Sequence, residues 1–407
     1  MCDPGSFYLL DLCYAPRRDS GLRRSYFTYV KGYKKVAVSL FIVYVIYLAG
    51  DNPVMKDNSL DFLERFVNSA SPSGFETEAS RIWVEEAKKF AEEVYRDVHG
   101  NSIARINGGG TPRIMLAGHV DEIGLMVSYI DDNGFIYFRE IGGWDSQILP
   151  GQRVSILTNS GRISGVIGRK PIHTLKEEER KKAVKPEELW IDVGARDGKE
   201  CKNFIFVGDP VIIDRGFSRL RNELVVGRGF DDKVGASVAL EAARLLTELK
   251  PSAEIYAVAT VQEEIGLRGA ITSAFGIAPK VGIAIDVTPA SDIPGGDKKI
   301  GGDISLGKGP VIERGANINQ RVFDILRKTA DDRKIPYQIS GSPRGTGTDA
   351  NAIQISRGGV ATGLVSIPNR YMHSPCELVD LEDVENSYKL LAYAIEEINE
   401  KTDFLPF

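Results

Sequence analysis

The sequence predicts an α/β fold into which a small all-β domain is inserted. Apolar runs typical of buried strands alternate with amphipathic helical segments over residues 55–120 and 213–407. Between them, residues 121–212 contain short strand candidates that are separated by Gly, Asn and Pro turns. At 407 residues, the chain also exceeds what one hydrophobic core usually holds, which favours two domains.

The composition excludes some classes of function. The formal net charge is −5 and no long basic run follows residue 50, so we expect no nucleic-acid partner. The four cysteines form no C-x-x-C pair and no disulfide framework. This spacing favours a reducing compartment, and we predict a cytoplasmic location.

Residues 1–54 differ in character from the rest of the chain. Basic residues precede an apolar run at residues 36–49, which is too short for a membrane span of roughly 20 residues. The segment fits a signal peptide with an unusually long basic region, but we favour an upstream start in the gene prediction. Met55 opens a sequence typical of a natural N-terminus, with Ser59 as a candidate helix cap. We expect no membrane association unless residues 1–54 form a real anchor.

The first elements of the α/β part are two helices and two strands. An apolar stripe over residues 60–67 predicts one helix, and a second is predicted from residue 77 to about residue 95. Strands are predicted at residues 102–106 and 113–119, and the second strand ends on His119.

Short strands characterise the inserted part, and helices and strands alternate again after it. The inserted strands are predicted at residues 123–130, 135–140, 153–158, 162–168 and 190–193, and residues 176–185 are interpreted as a solvated loop or a short exposed helix. The later helices are predicted at residues 231–249, 317–333 and 383–400, and the later strands at 253–260, 281–286 and 360–367. A glycine-rich loop at residues 294–309 is a candidate wall of a cleft.

Two adjacent carboxylates, Glu263 and Glu264, follow the strand predicted at residues 253–260. Neighbouring side chains at a strand end point in different directions, so one could hold a cation while the other faces a water molecule. Metal-assisted hydrolysis needs this division between a ligand and a general base. Taken alone, the pair would be interpreted as solvated loop residues.

Other polar residues are predicted at the same edge of the sheet. His119 and Asp286 end strands, Asp231 lies before a helix, and His373 follows the last strand. Ligand sites of open α/β sheets lie beyond the carboxyl ends of the strands, so these side chains are candidates for a site that holds two divalent cations. Imidazole and carboxylate ligands suit zinc, cobalt or manganese better than calcium. Individually, His119 is more typical of a surface residue and Asp231 of a helix cap.

Five motifs together resemble the tetrahedral, or glutamyl, aminopeptidase family, some of whose members have been labelled endoglucanases. The likeness runs from about residue 56 to the C-terminus. The motifs are Ala117-Gly-His-Val-Asp-Glu-Ile-Gly124, Gly229-Phe-Asp-Asp-Lys-Val-Gly235, Val261-Gln-Glu-Glu-Ile-Gly266, Ala284-Ile-Asp-Val-Thr288 and His373-Ser-Pro-Cys-Glu377. Residues 1–54 have no counterpart in the family pattern and are interpreted as an extension.

The resemblance implies roles for the candidate residues. His119, Asp231 and Asp286 would hold one metal ion, and Asp231, Glu264 and His373 would hold the other, with Asp231 bridging the two. Glu263 would be the general base for a water that bridges the metals. Asp121 would orient His119, and Asp232 would belong to the turn that aims Asp231.

The resemblance also implies an architecture and an activity. The expected fold is a mixed-sheet zinc-peptidase domain with helices on both faces, formed by residues 55–120 and 213–407, and a β domain at residues 121–212 that mediates dimerisation. The expected enzyme is a metal-dependent aminopeptidase with two divalent ions per subunit, zinc or cobalt, which acts on peptides with a free N-terminus. Its subunits would form a dimer-based homo-oligomer, up to a dodecamer.

Several alternatives remain open at this point. A di-metal N-deacylase or carboxypeptidase would use the same scaffold, and a non-catalytic assembly protein could retain the fold. A glycosidase would leave both histidines and Asp286 without a role. Asp349 is either part of the substrate pocket or a turn residue, and Arg314, Arg321 and Arg344 are candidates for binding an acidic side chain or ordinary surface residues.

Overall fold

The computed structural model describes residue 55 and residues 57–406. The predictions for residues 1–54 therefore lie outside the described residues. Ser59 is not a helix cap, because it lies inside a helix, where its hydroxyl donates to Glu241 at 3.0 Å. No helix within residues 57–406 is both long enough and apolar enough to cross a membrane.

Helices and strands alternate along the described chain. Before the first long insertion lie α1 (Asp57–Asn68), α2 (Thr77–Ala87), β1 (Glu93–Arg96), β2 (Ser102–Ile106) and β3 (Arg113–His119). The insertion contains β4 (Gly124–Ile130), β5 (Ile136–Ile141), β6 (Arg153–Thr158), β7 (Gly161–Arg169), α3 (Glu177–Arg180), β8 (Leu189–Asp192), α4 (Gly198–Cys201) and β9 (Pro210–Ile213). After it follow β10 (Ser218–Arg219), β11 (Leu224–Gly227), α5 (Phe230–Leu249), β12 (Glu254–Thr260), α6 (Arg268–Ile277), β13 (Val281–Pro289), α7 (Lys298–Gly301), β14 (Val311–Gly315), α8 (Gln320–Arg333), β15 (Gln338–Ser342), α9 (Asp349–Gln354), β16 (Ala361–Asn369), β17 (Glu377–Asp380) and α10 (Leu381–Glu396).

Within the described part of the chain, eight strands form one mixed sheet. Their order is β1-β2-β12-β3-β13-β16-β14-β15. The central strands β12, β3, β13 and β16 are parallel to one another, whereas β2 pairs antiparallel with β12 and β14 pairs antiparallel with β16. The parallel centre brings the carboxyl ends of four strands to one edge of the sheet.

Helices cover both faces of this sheet because its central strands are apolar on both faces. In β12, Ile255 and Ala257 belong to one core while Tyr256 and Val258 belong to another, as the alternation of side chains in a strand requires. The first core is completed by α1, α2, α5, α8 and α10, and the second by α6 and α9. The predicted α/β fold class is confirmed.

The insertion forms a closed barrel with its own core. The barrel order is β4-β5-β8-β7-β6-β9, and closure leaves no unpaired strand edge among these strands. Inward-facing side chains such as Leu125, Ile136, Val154 and Ile191 are fully buried and belong to a cluster separate from those of the sheet. The small all-β part of the predicted fold class is therefore present. Its proposed role in dimerisation stays a prediction.

The second helix is shorter than predicted. It ends at Ala87 rather than near residue 95, and Glu93–Arg96 pairs antiparallel with Ser102–Ile106. The hairpin turn is held by Asp97, whose carboxylate accepts the backbone N–H groups of Gly100 and Asn101. A local hydrogen-bonded turn thus outweighs the helical pattern of the preceding residues.

Strand ends differ at the site as well. The strand that contains Asp286 continues to Pro289 and does not end at Asp286, because it stays paired with β16 as far as the residue pair Pro289 and Asn369. The short strands β14, β15 and β17 were not predicted. Two of them complete the far edge of the mixed sheet, next to β16.

Candidate metal centre

Three neighbouring strands and one helix bring five of the predicted polar residues together, and His373 joins them from the loop between β16 and β17. The register of β12 and β3 pairs Thr260 with His119, so Glu263 and Glu264 begin just beyond the level of His119. Asp286 lies on β13, the other neighbour of β3. Asp231 begins α5, which lies against β3 so closely that a Cβ on Gly118 would meet the backbone N of Ala236 at 2.3 Å.

Asp231 lies between the two histidines. One of its oxygens, Oδ1, is 3.1 Å from Nε2 of His119, and the other, Oδ2, is 3.3 Å from Nε2 of His373. The two glutamates complete two groups, since Oε2 of Glu263 is 3.8 Å from His119 and Oε1 of Glu264 is 3.6 Å from His373. A single carboxylate therefore faces two clusters of donor atoms, one around each histidine.

Two sets of three ligand atoms are close enough to hold a metal ion each. The atoms of His119, Asp231 and Glu264 lie within 4.8 Å of one another, and so do those of His119, Glu263 and Asp286. The second set includes Glu263, the residue expected to act as the base. Neither set is one of the two expected ligand sets, and neither contains His373, which contacts Asp231 and Glu264. All the predicted ligands and the predicted base lie close together, and their individual roles stay predictions.

Burial and crowding of like charges disturb the protonation of these groups. Burial raises the pKa of Glu263 to about 10, with Asp286 and Asp349 adding repulsion, and it raises the pKa of Asp286 to about 7. Burial and the nearby Asp231 also raise the pKa of Glu264. Burial by itself disfavours the charged form of His119, but Glu263, Asp121 and Asp231 nevertheless hold its pKa well above its usual range.

The donor set fits divalent metal ions. The Oε1 atom of Glu264 is buried and has no hydrogen-bond partner among the described residues. Several carboxyl groups meet two imidazoles here, and a bound cation would stabilise the ionised form of these carboxyl groups. Mixed imidazole and carboxylate donors suit zinc, cobalt or manganese, as the sequence predicts.

Asp121 supports both the histidine and the glutamates. Its carboxylate accepts the backbone N–H groups of Glu263 at 3.0 Å and Glu264 at 3.2 Å, and the hydroxyl of Ser73 at 2.6 Å. The Nδ1 atom of His119 is 3.0 Å from the backbone carbonyl of Asp121 and 3.5 Å from its carboxylate. Asp121 therefore contacts His119 through its main chain as well as its side chain.

The turn at the start of α5 is held by the carboxylate of Asp232. Asp231 and Asp232 have non-helical backbone angles, and the left-handed Gly229 precedes them. The Asp232 carboxylate accepts the N–H groups of His119 at 3.1 Å and Gly235 at 3.0 Å. Asp232 thus fixes the end of β3 to the start of α5, in line with its expected place in the turn.

Glu377 is a site residue that sequence reasoning left without a role. One carboxylate oxygen accepts the N–H of Asp231 and the other accepts the N–H of His373, both at 3.0 Å. This buried side chain therefore holds the backbones of Asp231 and His373 next to each other. The only hint of this role in the sequence is the position of Glu377 at the end of the motif that begins at His373.

The barrel also contributes to the site. The backbone carbonyl of Gly143, in the loop after β5, lies 2.9 Å from Nδ1 of His373. When Nδ1–H of a histidine donates to a carbonyl, Nε2 carries the lone pair that can bind a metal ion. The ring orientation of His373 thus depends on a segment of the inserted β part.

Asp349 lies close enough to Glu263 to raise its pKa, whereas the three candidate arginines lie away from the cleft. Asp349 is buried and accepts the hydroxyl of Thr260 at 2.5 Å, but it does not line the cleft, and Thr348 rather than Asp349 caps α9. The three arginines considered for binding an acidic side chain do not line the cleft either. Arg314 lies over the ring of Phe323, Arg321 donates to Leu405, and Arg344 is exposed.

A cleft of about 530 Å³ opens over the site. Its lining includes His119, Asp231, Glu263, Glu264, Asp286 and His373, together with residues of β14, β15, β16 and the loop that precedes α9. The far wall was absent from the sequence prediction because β14 and β15 were not predicted. It contains Glu313, Ser340 and Ser342.

Known proteins resemble this chain over most of its length. Residues 100–390 match the family described as M42 glutamyl aminopeptidase. A lysyl aminopeptidase of Pyrococcus furiosus is 40% identical over 349 residues, which cover 85% of this chain and 99% of that protein. The matched family region includes every predicted site residue from His119 to His373.

Solved structures of aminopeptidases also resemble this chain over most of its length. A TET aminopeptidase from a marine sediment archaeon of the Thaumarchaeota is 36% identical, with a TM-score of 0.81 over 85% of this chain and 98% of that one. The Pyrococcus horikoshii TET1 peptidase, described as able to assemble into a tetrahedron or a large octahedral shell, is 32% identical. Its TM-score is 0.75 over 84% of this chain and 100% of that one.

Proposed function

The chain belongs to the M42 glutamyl aminopeptidase family of peptidases, and from this we propose that it is a di-metal enzyme that removes N-terminal residues from peptides. The observation that carries the proposal is the position of Asp231, whose two oxygens face His119 and His373 separately. A carboxylate placed in this way would offer one oxygen ligand to each of two neighbouring divalent ions.

In this proposal, His119, Asp231 and Asp286 would hold one divalent ion, and Asp231, Glu264 and His373 the other. Bound ions of this kind lower the pKa of water and polarise the scissile carbonyl. Glu263 accepts the proton of the attacking water and passes it to the leaving amine. Its position suits this role, because Oε2 of Glu263 lies 3.8 Å from Nε2 of His119 and Glu263 belongs to one of the groups of ligand atoms.

Other residues position this machinery. Asp121 holds the backbone of Glu263 and Glu264, which fixes the direction of the base. Glu377 holds the backbones of Asp231 and His373. These contacts preorganise the site before substrate binds, which is how a protein avoids rearrangement during the reaction.

The assembly is part of the proposal. We expect a homo-oligomer, because the TET1 relative is described as forming a tetrahedron or an octahedral shell. The barrel is the proposed dimerisation surface. A cytoplasmic location and zinc or cobalt as the native metal remain predictions from the sequence.

Hydrolysis of aminoacyl p-nitroanilides tests the activity. Cleavage of substrates with a free α-amine should be lost on treatment with a chelator and restored by cobalt or zinc, whereas N-acetylated substrates should not be cleaved. Cleavage of acetylated substrates, or activity that a chelator does not alter, would contradict the proposal and favour a deacylase or a different peptidase mechanism.

A further inference from the structure

Glu313 is a buried carboxylate in the cleft that the proposed mechanism does not use. It lies on β14, its side chain lines the cleft, and only 5% of its surface is exposed. Its neighbours Ile312 and Arg314 face the other side of the strand, where Ile312 joins the main core and Arg314 lies 5.7 Å from the ring of Phe323. The strand thus presents one acidic group to the substrate space.

This carboxylate has no counter-charge in the described structure. Its Oε1 atom is buried without a hydrogen-bond partner, and among the described residues no Lys, Arg or His lies within ion-pair distance of it. The residues that line the cleft include no lysine or arginine. A buried carboxylate without a partner is unfavourable, so a cation that enters the cleft would complete its interactions.

The surrounding groups suit an ammonium or guanidinium ion. The strand register pairs Glu313 with Ser340 and Gly315 with Ser342, so both serines lie beside the carboxylate on β15. Ser366 is paired with Val311, which points to the same side of β14 as Glu313. These hydroxyls and the carboxylate are acceptors for the several N–H donors of a lysine or arginine side chain.

The strand geometry separates Glu313 from the proposed metal site. Asp286 is paired with Ser366, Ser366 with Val311, and Glu313 lies two residues further along β14. Two strand spacings and two residues of rise correspond to about 12 Å between the Cα atoms of Asp286 and Glu313. A single small group bound at the proposed metal site would therefore not reach Glu313. A lysine side chain of about 6 Å that extends from this site, together with the Glu313 side chain that meets it, spans the distance.

We infer that Glu313 binds the cationic side chain of the substrate's first residue, and that the enzyme therefore prefers peptides that begin with lysine or arginine. The inference rests on the proposed aminopeptidase function, which places the scissile bond beside Glu263. An acidic first residue is disfavoured for the same reason, because it would meet Glu313 without a neutralising cation.

The test compares lysyl and norleucyl p-nitroanilides, whose side chains differ by the terminal ammonium group. For the metal-loaded wild-type enzyme, kcat/KM should be higher for the lysyl substrate. Glu313→Gln keeps the shape of the side chain and should lower the lysyl-to-norleucyl ratio by about 30-fold or more. Arg314→Gln, on the opposite face of the same strand, is the matched control and should keep the wild-type ratio.

Two results would overturn the inference. The first is a wild-type enzyme with no preference for the lysyl substrate. The second is a Glu313→Gln enzyme in which both substrates lose the same factor, since that pattern indicates a group that anchors the α-amine or supports the fold.

A binding experiment separates this inference from the proposed function. If no substrate is cleaved, the aminopeptidase proposal fails, and calorimetry with L-lysinol and L-norleucinol then decides the role of Glu313. Tighter binding of L-lysinol to the wild-type protein supports the inference. Equal affinity for the two alcohols overturns it, and this comparison needs no variant.

Discussion

Asp231 determines the form of the site at the scale of single residues. Its pKa is lowered, because the hydrogen bonds from His119 and His373 outweigh its burial. Asp231 is therefore ionised, while the surrounding Glu263, Glu264 and Asp286 have raised pKa values. The site therefore combines one ionised carboxylate with several carboxyl groups of raised pKa. Metal ions that bind there would displace protons from these carboxyl groups, so the groups would become negatively charged.

Replacement of the proposed base should separate chemistry from metal binding. Glu263→Gln should lower kcat by about 10²- to 10⁴-fold, because the amide cannot accept a proton. The fold and the metal content should remain, since the proposed ligands are unchanged. Steady-state kinetics on an aminoacyl p-nitroanilide and metal analysis of the same sample check both points. A loss of metal in proportion to activity would identify Glu263 as a ligand, as its place in one three-residue group allows.

Replacement of a proposed ligand should have the opposite pattern. His119→Ala should lower the metal content per subunit, because it removes a donor that belongs to both groups of ligand atoms. His173→Ala, in an exposed segment of the insertion, is the control and should retain wild-type metal content. Equal metal content in the two variants would remove His119 from the set of ligands.

Sequence reasoning identified candidate site residues from their residue types, but it missed residues whose part in the site depends on packing. Histidines and carboxylates at strand ends indicated His119, Glu263 and Glu264. Glu377 was not assigned, because it acts through two backbone N–H groups whose convergence no spacing reveals. Glu313 was missed because β14 was not predicted, and without the strand its orientation toward the cleft is unknown.

At the scale of elements, a buried ion cluster joins the end of β3 to the start of α5. Glu122 accepts from Arg228 and, at 3.0 Å, from Lys233, and both cations also donate to the backbone carbonyl of Ser69. All three charged side chains are buried. Two motifs that carry proposed metal ligands are thus fixed to each other by Glu122 and Lys233, which belong to these motifs, and by Arg228, which precedes the second one.

Removal of the central anion should destabilise the fold. Glu122→Gln would leave Arg228 and Lys233 buried without a negative partner, at a cost of about 3–5 kcal/mol. Burial alone raises the pKa of Glu122, but the two cations lower it overall, so its stabilising effect is fully present at pH 7 and is lost as pH falls below its usual range. The shift of the urea midpoint at pH 7 measures the difference.

An exposed ion pair supplies the control for that measurement. Glu177→Gln removes a partner of Lys181 on α3, where the two side chains are 82% and 74% exposed. Such a pair contributes about 0.5 kcal/mol or less. Similar small shifts for both variants would mean that the buried cluster contributes specificity of geometry rather than stability.

Elements were predictable in proportion to their length and burial. The helix at residues 231–249 and the strand at 253–260 match α5 and β12 closely, because both are almost entirely buried. Strand β14 contains two charged residues and a glycine, β15 contains a glycine and two serines, and β15 is an edge strand of the sheet. Their formation depends on pairing with distant residues, which a local pattern does not encode.

At the scale of the whole molecule, the barrel and the sheet have separate cores but share the site. The barrel contributes Gly143 to the orientation of His373, while every proposed metal ligand belongs to the sheet part. The insertion that forms the barrel also carries exposed apolar side chains, among them Tyr129 on β4 and Phe206 and Val207 in the loop before β9. Such side chains are unfavourable in water and are typical of a surface that another subunit covers.

Charges placed on the barrel should therefore weaken the proposed assembly. The double variant Phe206→Asp and Val207→Asp should shift the mass measured by light scattering from the wild-type oligomer toward smaller species, because like charges would meet across a symmetric contact. Ile271→Asp with Phe275→Asp, on the exposed face of α6, is the matched control, since these side chains are about equally exposed. Dissociation by the α6 variant alone would assign the subunit contact to the sheet part of the molecule. Dissociation by the barrel variant, with retained activity per site, would indicate that Gly143 keeps its contact with His373 without help from a second subunit.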